Sequence, residues 1–153
     1  MKAVVQRVAD AEVTVADETV GKIGRGLFIL LGVTDGDTEK EAELLAAKCA
    51  ALRVFCDDND KMNLSVKDIN GEVLAVSQFT LCADLKKGNR PSFVNAMEPE
   101  SANRIYMHFV RSLKNLGISR VETGCFGADM LCNIKNDGPV TIVYDTDIWR
   151  KKQ

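Results

Sequence analysis

Glu72-Val-Leu-Ala-Val-Ser-Gln-Phe-Thr-Leu81 is the stretch that decides the fold. The unbroken apolar run at 73–76 has the length and β-branched content of a strand buried on both faces, and the segment then ends in polar residues. Leu-Phe-Ile-Leu-Leu-Gly-Val at 27–33, also read as a strand, is the longest apolar stretch in the chain and far too short to span a membrane. A doubly buried strand requires material above and below it. Residues 2–9 and 11–16 read as further strands, the second alternating Val13 and Val15 with Glu12 and Thr14. Strands are also expected at 53–55, 118–123, 131–135 and 140–144, with a turn at 136–139.

Two helices interrupt the strands. Gly36-Asp37 is a turn, and Thr38 with Glu41 forms a capping box that starts a helix running to about 53, with Ala42, Leu45, Cys49 and Leu52 on its buried stripe. The second helix spans 99–116 with Ala102, Ile105, Phe109, Leu113 and Leu116 facing inward and Gly117 as its C-terminal cap. Each helix is apolar on one side only, so both belong on one face of a sheet. Strands closing the other face give a mixed α+β fold: one three-layer α/β/β domain, mostly antiparallel, over residues 1–145, with a C-terminal tail at 146–153.

Composition removes several chemistries. In 153 residues there are one histidine, His108, five cysteines and three prolines, so any triad or imidazole metal site must use that one ring. His108 falls on the flank of the second helix and reads as a solvated surface residue. Cys49, Cys56, Cys82, Cys125 and Cys132 include no C-x-x-C pair and read as apolar packing in a reducing compartment, and no metal or cofactor is expected. The acidic loop at 57–61 lacks the glycine and terminal glutamate of a calcium loop. The glycines of 21–26 lead into a strand, not a helix, and so mark a hairpin and bulge. The N-terminus has no signal-peptide stretch, and a cytoplasmic protein without membrane contact is expected. A net charge of −2 argues against a grip on long nucleic acid by bulk electrostatics.

Two polar segments carry possible chemistry. Ser77-Gln-Phe-Thr-Leu81 puts hydroxyls, an amide and backbone N–H groups at the end of a buried strand, either as a site rim or as a strand end paired with a loop. If the strand continues, Ser77 and Phe79 point one way and Gln78 and Thr80 the other. Asn136-Asp-Gly-Pro-Val-Thr141 is a turn signal, either a plain hairpin or a rigid Gly-Pro unit presenting carbonyls in a fixed direction.

Taken together with the segments at 1–8, 61–66, 90–93 and 124–130, these motifs resemble the D-aminoacyl-tRNA deacylase family over nearly the whole chain, with 145–153 extending beyond the compact pattern. The resemblance implies hydrolysis of the ester joining a D-amino acid to the 3′-terminal adenosine of tRNA, a proofreading step in translation. It implies that Ser77, Gln78, Phe79 and Thr80 form the catalytic side, with Leu81 beside them. It further implies a homodimer in which Gly138 and a cis Pro139, followed by Val140 and Thr141, form a chiral gate in the partner's pocket. Phe126 and Met130 would contribute to the pocket wall, with Arg7 as a buttress. L-esters would be excluded, glycyl-tRNA would leak through, and hydrolysis would rest on main-chain amides and the substrate 2′-hydroxyl. Lys86, Lys87 and Arg90 are expected to meet tRNA, and Arg150, Lys151 and Lys152 to form a second patch or a solvated tail. Two other classes are open: a non-catalytic RNA-binding module, which needs basic and aromatic residues interleaved on one face, and a cysteine-dependent hydrolase, which needs a thiol beside His108.

Overall fold

The computed structural model describes residues 1–150. Strand β1 (Lys2–Val15) hydrogen-bonds on both edges. One edge pairs antiparallel with β3 (Gly26–Gly32) over Lys2–Val8 and with β2 (Glu18–Ile23) over Ala11–Val15. The other edge pairs antiparallel with the 15-residue β8 (Leu131–Asp145). β3 continues the sheet in parallel to β6 (Glu72–Ser77), which is parallel to β7 (Val121–Thr123). The short β4 (Phe55–Cys56) and β5 (Met62–Leu64) form a separate hairpin.

The sheet curls until it is nearly closed, and its two faces hold different cores. Leu27, Ile29 and Leu31 of β3 and Val73 and Ala75 of β6 face the helices α1 (Glu39–Ala51) and α2 (Pro99–Asn115). Phe28, Leu74 and Val76, at the alternate positions, face the interior with Val8, Ala11, Val13 and Ile23. This is the period-two pattern expected of strands buried on both sides, and it confirms the three-layer arrangement. Closure depends on a missing side chain: a β-carbon on Gly21 of β2 would stand 2.3 Å from the Thr123 carbonyl oxygen of β7.

The helices follow their local signals. The Thr38–Glu41 capping box is present at α1, and Gly117 after α2 takes a φ of 90°, which suits glycine. His108, expected as a solvated residue, is instead partly buried between the helices, its Nε2 2.8 Å from Glu43 Oε1. Leu52 and Leu116 follow the helix ends and are partly buried.

Several strand expectations are corrected. Segments 2–9 and 11–16 are one strand, because irregularities between Gln6 and Ala11 bend it without breaking the ladder. The strand at 72–81 stops at Ser77, because its partner β3 ends at Gly32 and leaves no ladder to follow. The Gln78 N–H still donates to the Leu31 carbonyl at 2.8 Å, after which Phe79–Cys82 winds into a 3₁₀ turn. The turn at 136–139 does not reverse the chain: the segments on either side both run antiparallel to β1 within β8. The strands expected at 53–55 and 118–123 are Phe55–Cys56 and Val121–Thr123.

The stretch expected as a tail folds back in its described part. Thr146 is buried in the 3₁₀ turn Thr146–Trp149, and Trp149 packs on Tyr144. Its anchor is the buried carboxylate of Asp37, which accepts from the Thr34 N–H at 2.7 Å, the Met1 ammonium at 2.8 Å and Arg150 Nη2 at 2.6 Å. Arg150 is thus occupied within the chain, and Lys151 and Lys152 lie outside the described residues. Removing one member of a buried ion pair strands the other, so Asp37→Ala is expected to cost about 3–5 kcal/mol. Urea denaturation measures this, and a loss under about 1 kcal/mol, the range of an exposed pair, contradicts the buried network.

Candidate functional site

Beyond Ser77, the end of β6 opens onto a cleft of about 600 Å³. Ser77, Gln78 and Phe79 line one side, and Phe126 and Met130, from the glycine-rich connection before β8, line the other. Phe93 and Met97, on the segment leading into α2, complete the mouth. The wall is held from behind: Phe126 lies 6.1 Å from the Tyr106 ring, and the Tyr106 hydroxyl donates to the Ala75 carbonyl at 2.7 Å. That burial pushes the Tyr106 phenol well above its ordinary value, leaving it a neutral donor. Across the mouth, Phe79 and Phe93 meet edge to face at 4.9 Å, tying the loop at 84–97 to the 3₁₀ turn.

The turn matters for chemistry because of its N–H groups. The first donors of a helical turn have no partner within it. The N–H groups of Phe79 and Thr80 have no acceptor among the described residues, whereas those of Gln78, Leu81 and Ala83 are used. Gln78 and Phe79 therefore line the cleft together, not on opposite faces as a continuing strand would place them. Thr80 is exposed, and its hydroxyl accepts from Gln78 Nε2.

No imidazole reaches this cleft, since His108 is held at the helix layer by Glu43. Cys132 lines the cleft, but burial raises its thiol above the ordinary value and disfavours the thiolate. Cys49, deep in the helical core, is pushed up to about 12 by the same cause. Glu98 adds a carboxylate to the rim, yet it caps α2, accepting from the N–H groups of Glu100 at 2.6 Å and Ser101 at 3.1 Å. Hydrogen bonding from the Ser101 side chain, then from those backbone N–H groups, lowers its pKa. Among the described residues, no group of three histidine, cysteine or acidic side chains is placed to hold a metal.

The other expected site residues stand apart from the cleft within one chain. Gly138 and Pro139, joined by a cis peptide, are exposed on β8 and do not line it. Arg7 Nε donates to the Asp137 carbonyl at 2.9 Å and Nη1 to the Val54 carbonyl at 2.7 Å. Lys86, Lys87 and Arg90 are exposed on a loop pinned by the Asp84–Ser92 pair. Sequence reasoning missed Met97 and Glu98 as rim residues and quoted Phe93 only as part of a loop. The Glu98-Pro99 step was a helix-start signal, but nothing local shows that this start borders a cleft.

Thiol accessibility gives a direct check. Iodoacetamide at pH 7 is expected to modify the exposed Cys125 first, with Cys132 following as pH rises above the ordinary thiol range and Cys49 resisting throughout. Mass spectrometry of the labelled peptides reads the order. Rapid labelling of Cys132 at pH 7 contradicts the neutral cleft thiol.

A family model described as D-Tyr-tRNA(Tyr) deacylase matches residues 4–145. A D-aminoacyl-tRNA deacylase of Dehalococcoides mccartyi is 56% identical over 146 residues, covering 95% of each chain. One from Chloroherpeton thalassium is 52% identical over 152 residues, covering 99% of this chain and 100% of the relative. Among solved structures, the c-Myc DNA Unwinding Element Binding Protein matches with a TM-score of 0.90 at 46% identity, covering 95% of this chain and 98% of that one. A probable eukaryotic D-amino acid tRNA deacylase shares the fold, with a TM-score of 0.79 at 17% identity over 94% of this chain and 97% of that one.

Proposed function

The chain belongs to the D-Tyr-tRNA(Tyr) deacylase family, and on that premise we propose that it hydrolyses the ester between a D-amino acid and the 3′-terminal adenosine of tRNA. The products are free D-amino acid and reusable tRNA, a proofreading step in translation. The observation that carries this reading is the N–H of Phe79, which like that of Thr80 beside it has no acceptor among the described residues, at a largely apolar cleft lined by no imidazole.

An aminoacyl ester is already activated, so fixed donors aimed at the developing oxyanion supply most of the help it needs. The Phe79 N–H takes that role, and the neighbouring 2′-hydroxyl of the substrate ribose assists the attacking water. The Thr80 hydroxyl has no base beside it and is not the nucleophile. Ser77 and Gln78 shape this side of the pocket, with Phe126 and Met130 as its far wall, while Leu81, expected beside them, does not line the cleft and lies near Gly32.

Gly138 and Pro139, with Val140 and Thr141 after them, form the chiral gate, and Arg7 supports it. Because they do not line their own chain's cleft, a second copy brings them to it. β8 fits such a homodimer: among the described residues it pairs only with β1, leaving its other long edge open, and it exposes Leu131 and Val143. Rigid carbonyls that hold the substrate ammonium and fill the volume of an L-side chain reject L-esters and pass any D-side chain. Glycyl esters have nothing to exclude and enter. Lys86, Lys87 and Arg90 meet the tRNA near its end.

A non-catalytic nucleic-acid module is the second reading, favoured by the structural likeness to the c-Myc DNA Unwinding Element Binding Protein, whose name describes DNA binding. Turnover separates the two. Matched D- and L-aminoacyl-tRNA are expected to be cleaved and spared respectively, and tRNA binding without cleavage of either supports the module. Phe79→Pro removes this N–H, which has no acceptor among the described residues, and is expected to lower kcat about 100-fold relative to Phe79→Ala. Equal rates for the two variants refute main-chain stabilisation, and loss of turnover in Thr80→Ala with binding retained favours the hydroxyl instead.

A further inference from the structure

We infer that Asn136 is a positioning residue that sets the direction of the Gly138–Pro139 carbonyls, an inference resting on the reading of that unit as a chiral gate. The register of β1 and β8 is the starting point. Gln6 pairs with Thr141 and Val8 with Asn136, so a single β1 residue, Arg7, faces the four residues 137–140. Four residues opposite one must leave the ladder, and without further bonds the carbonyls they carry would point in many directions.

Two side chains fix the bulge at its two ends. Arg7 holds the departing strand through the Asp137 carbonyl at 2.9 Å. Asn136 holds the returning strand: its Oδ1 accepts from the Val140 N–H at 2.9 Å, and its Nδ2 donates to Thr141 Oγ1 at 3.1 Å. The orientation of this amide is settled by chemistry, since a backbone N–H can only donate and must therefore face the oxygen. Gln6 Nε2 reaches the same Thr141 hydroxyl at 3.2 Å, joining the neck of the bulge to β1. Inside the loop, Gly138 has a φ of 129°, and a β-carbon there would stand 2.8 Å from Arg7 Nη2 and 2.9 Å from Val140 Cγ2. The loop is packed tightly enough for closure of its neck to orient its tip. Asn136 touches no reacting atom in this arrangement and acts through residues 138 and 139.

The experiment compares full-length wild type, Asn136→Ala and Asn136→Asp on D-, L- and glycyl-tRNA, with kcat and KM measured separately. Loss of both bonds in Asn136→Ala is expected to lower the D-over-L ratio of kcat/KM about 10-fold, one lost hydrogen bond's worth of discrimination, while glycyl turnover is retained. Asn136→Asp still accepts from Val140, and Thr141 can turn its hydroxyl to donate, so the ratio is expected to return toward wild type. A proportional fall on all three esters with an unchanged D-over-L ratio overturns the inference, because that is what a loss of folded protein produces. Where Asn136→Ala is not recovered folded, Thr141→Val, which removes one of the two Asn136 bonds together with that from Gln6, serves in its place beside Gln6→Ala, which removes the Gln6 bond alone, and a ratio no lower in Thr141→Val than in Gln6→Ala overturns it equally. Wild type that fails to distinguish D from L refutes the gate itself, and is recognisable without any variant.

Discussion

The structure depends on β1 bonding along both edges at once. A strand between two partners cannot drift in register, and β1 is held by β8 along its length on one side and by β3 and then β2 on the other. Its irregularities between Gln6 and Ala11 exchange the faces: Ala3 and Val5 belong to the core under the helices, whereas Val8, Ala11 and Val13 belong to the interior of the curled sheet. One element thus contributes to both cores. The same irregularity that exchanges the cores places Arg7 opposite the four-residue bulge of β8, so the position of the Gly-Pro unit follows from how the sheet bends.

Local signals were legible where local physics decides. The Thr38–Glu41 box and Gly117 bracket helix boundaries through bonds made within a few residues, and both took the expected form. The apolar run at 73–76 was legible as doubly buried because no single-faced strand dispenses with polar positions, and 27–33 was legible as a strand that the structure buries in the same way. What the sequence did not reveal depends on partners far along the chain. Ser77 ends β6 because β3 runs out at Gly32, a fact held some forty-five residues away in the sequence. Asn136-Asp-Gly-Pro has the composition of a reversing turn, and only the β1 ladder on both sides of it converts that turn into a bulge. His108 was placed on a helix flank correctly, but its pairing with Glu43 needed the packing of one helix on the other.

The candidate site shows the same division. The Ser77–Leu81 motif was visible as polar residues at a strand end, and its family resemblance named the side that matters. The feature on which the proposed chemistry rests, however, is the pair of N–H groups that a 3₁₀ turn leaves without acceptors among the described residues, and donors of that kind belong to the backbone, not to any residue type. Phe93 joins the rim through its ring contact with Phe79, and Met97 through its N–H bond to the Val33 carbonyl beyond β3.

A site made of main-chain donors also accounts for the poverty of the side-chain inventory. An imidazole or thiolate in the cleft would attack any ester that entered, whatever its handedness, and rejection would then have to come from binding alone. In the proposed mechanism, a weakly nucleophilic cleft makes the rate depend on how closely the carbonyl is held to the Phe79 N–H, and that holding is what the proposed second copy's bulge would grant or refuse. Proximity effects span many powers of ten for small displacements, so a misplacement near an ångström suffices to separate a cleaved ester from a spared one. Under that proposal discrimination and catalysis draw on the same geometry, set by the side chains of Arg7 and Asn136 at the base of one copy's bulge and by the Phe79 N–H in the other copy's cleft.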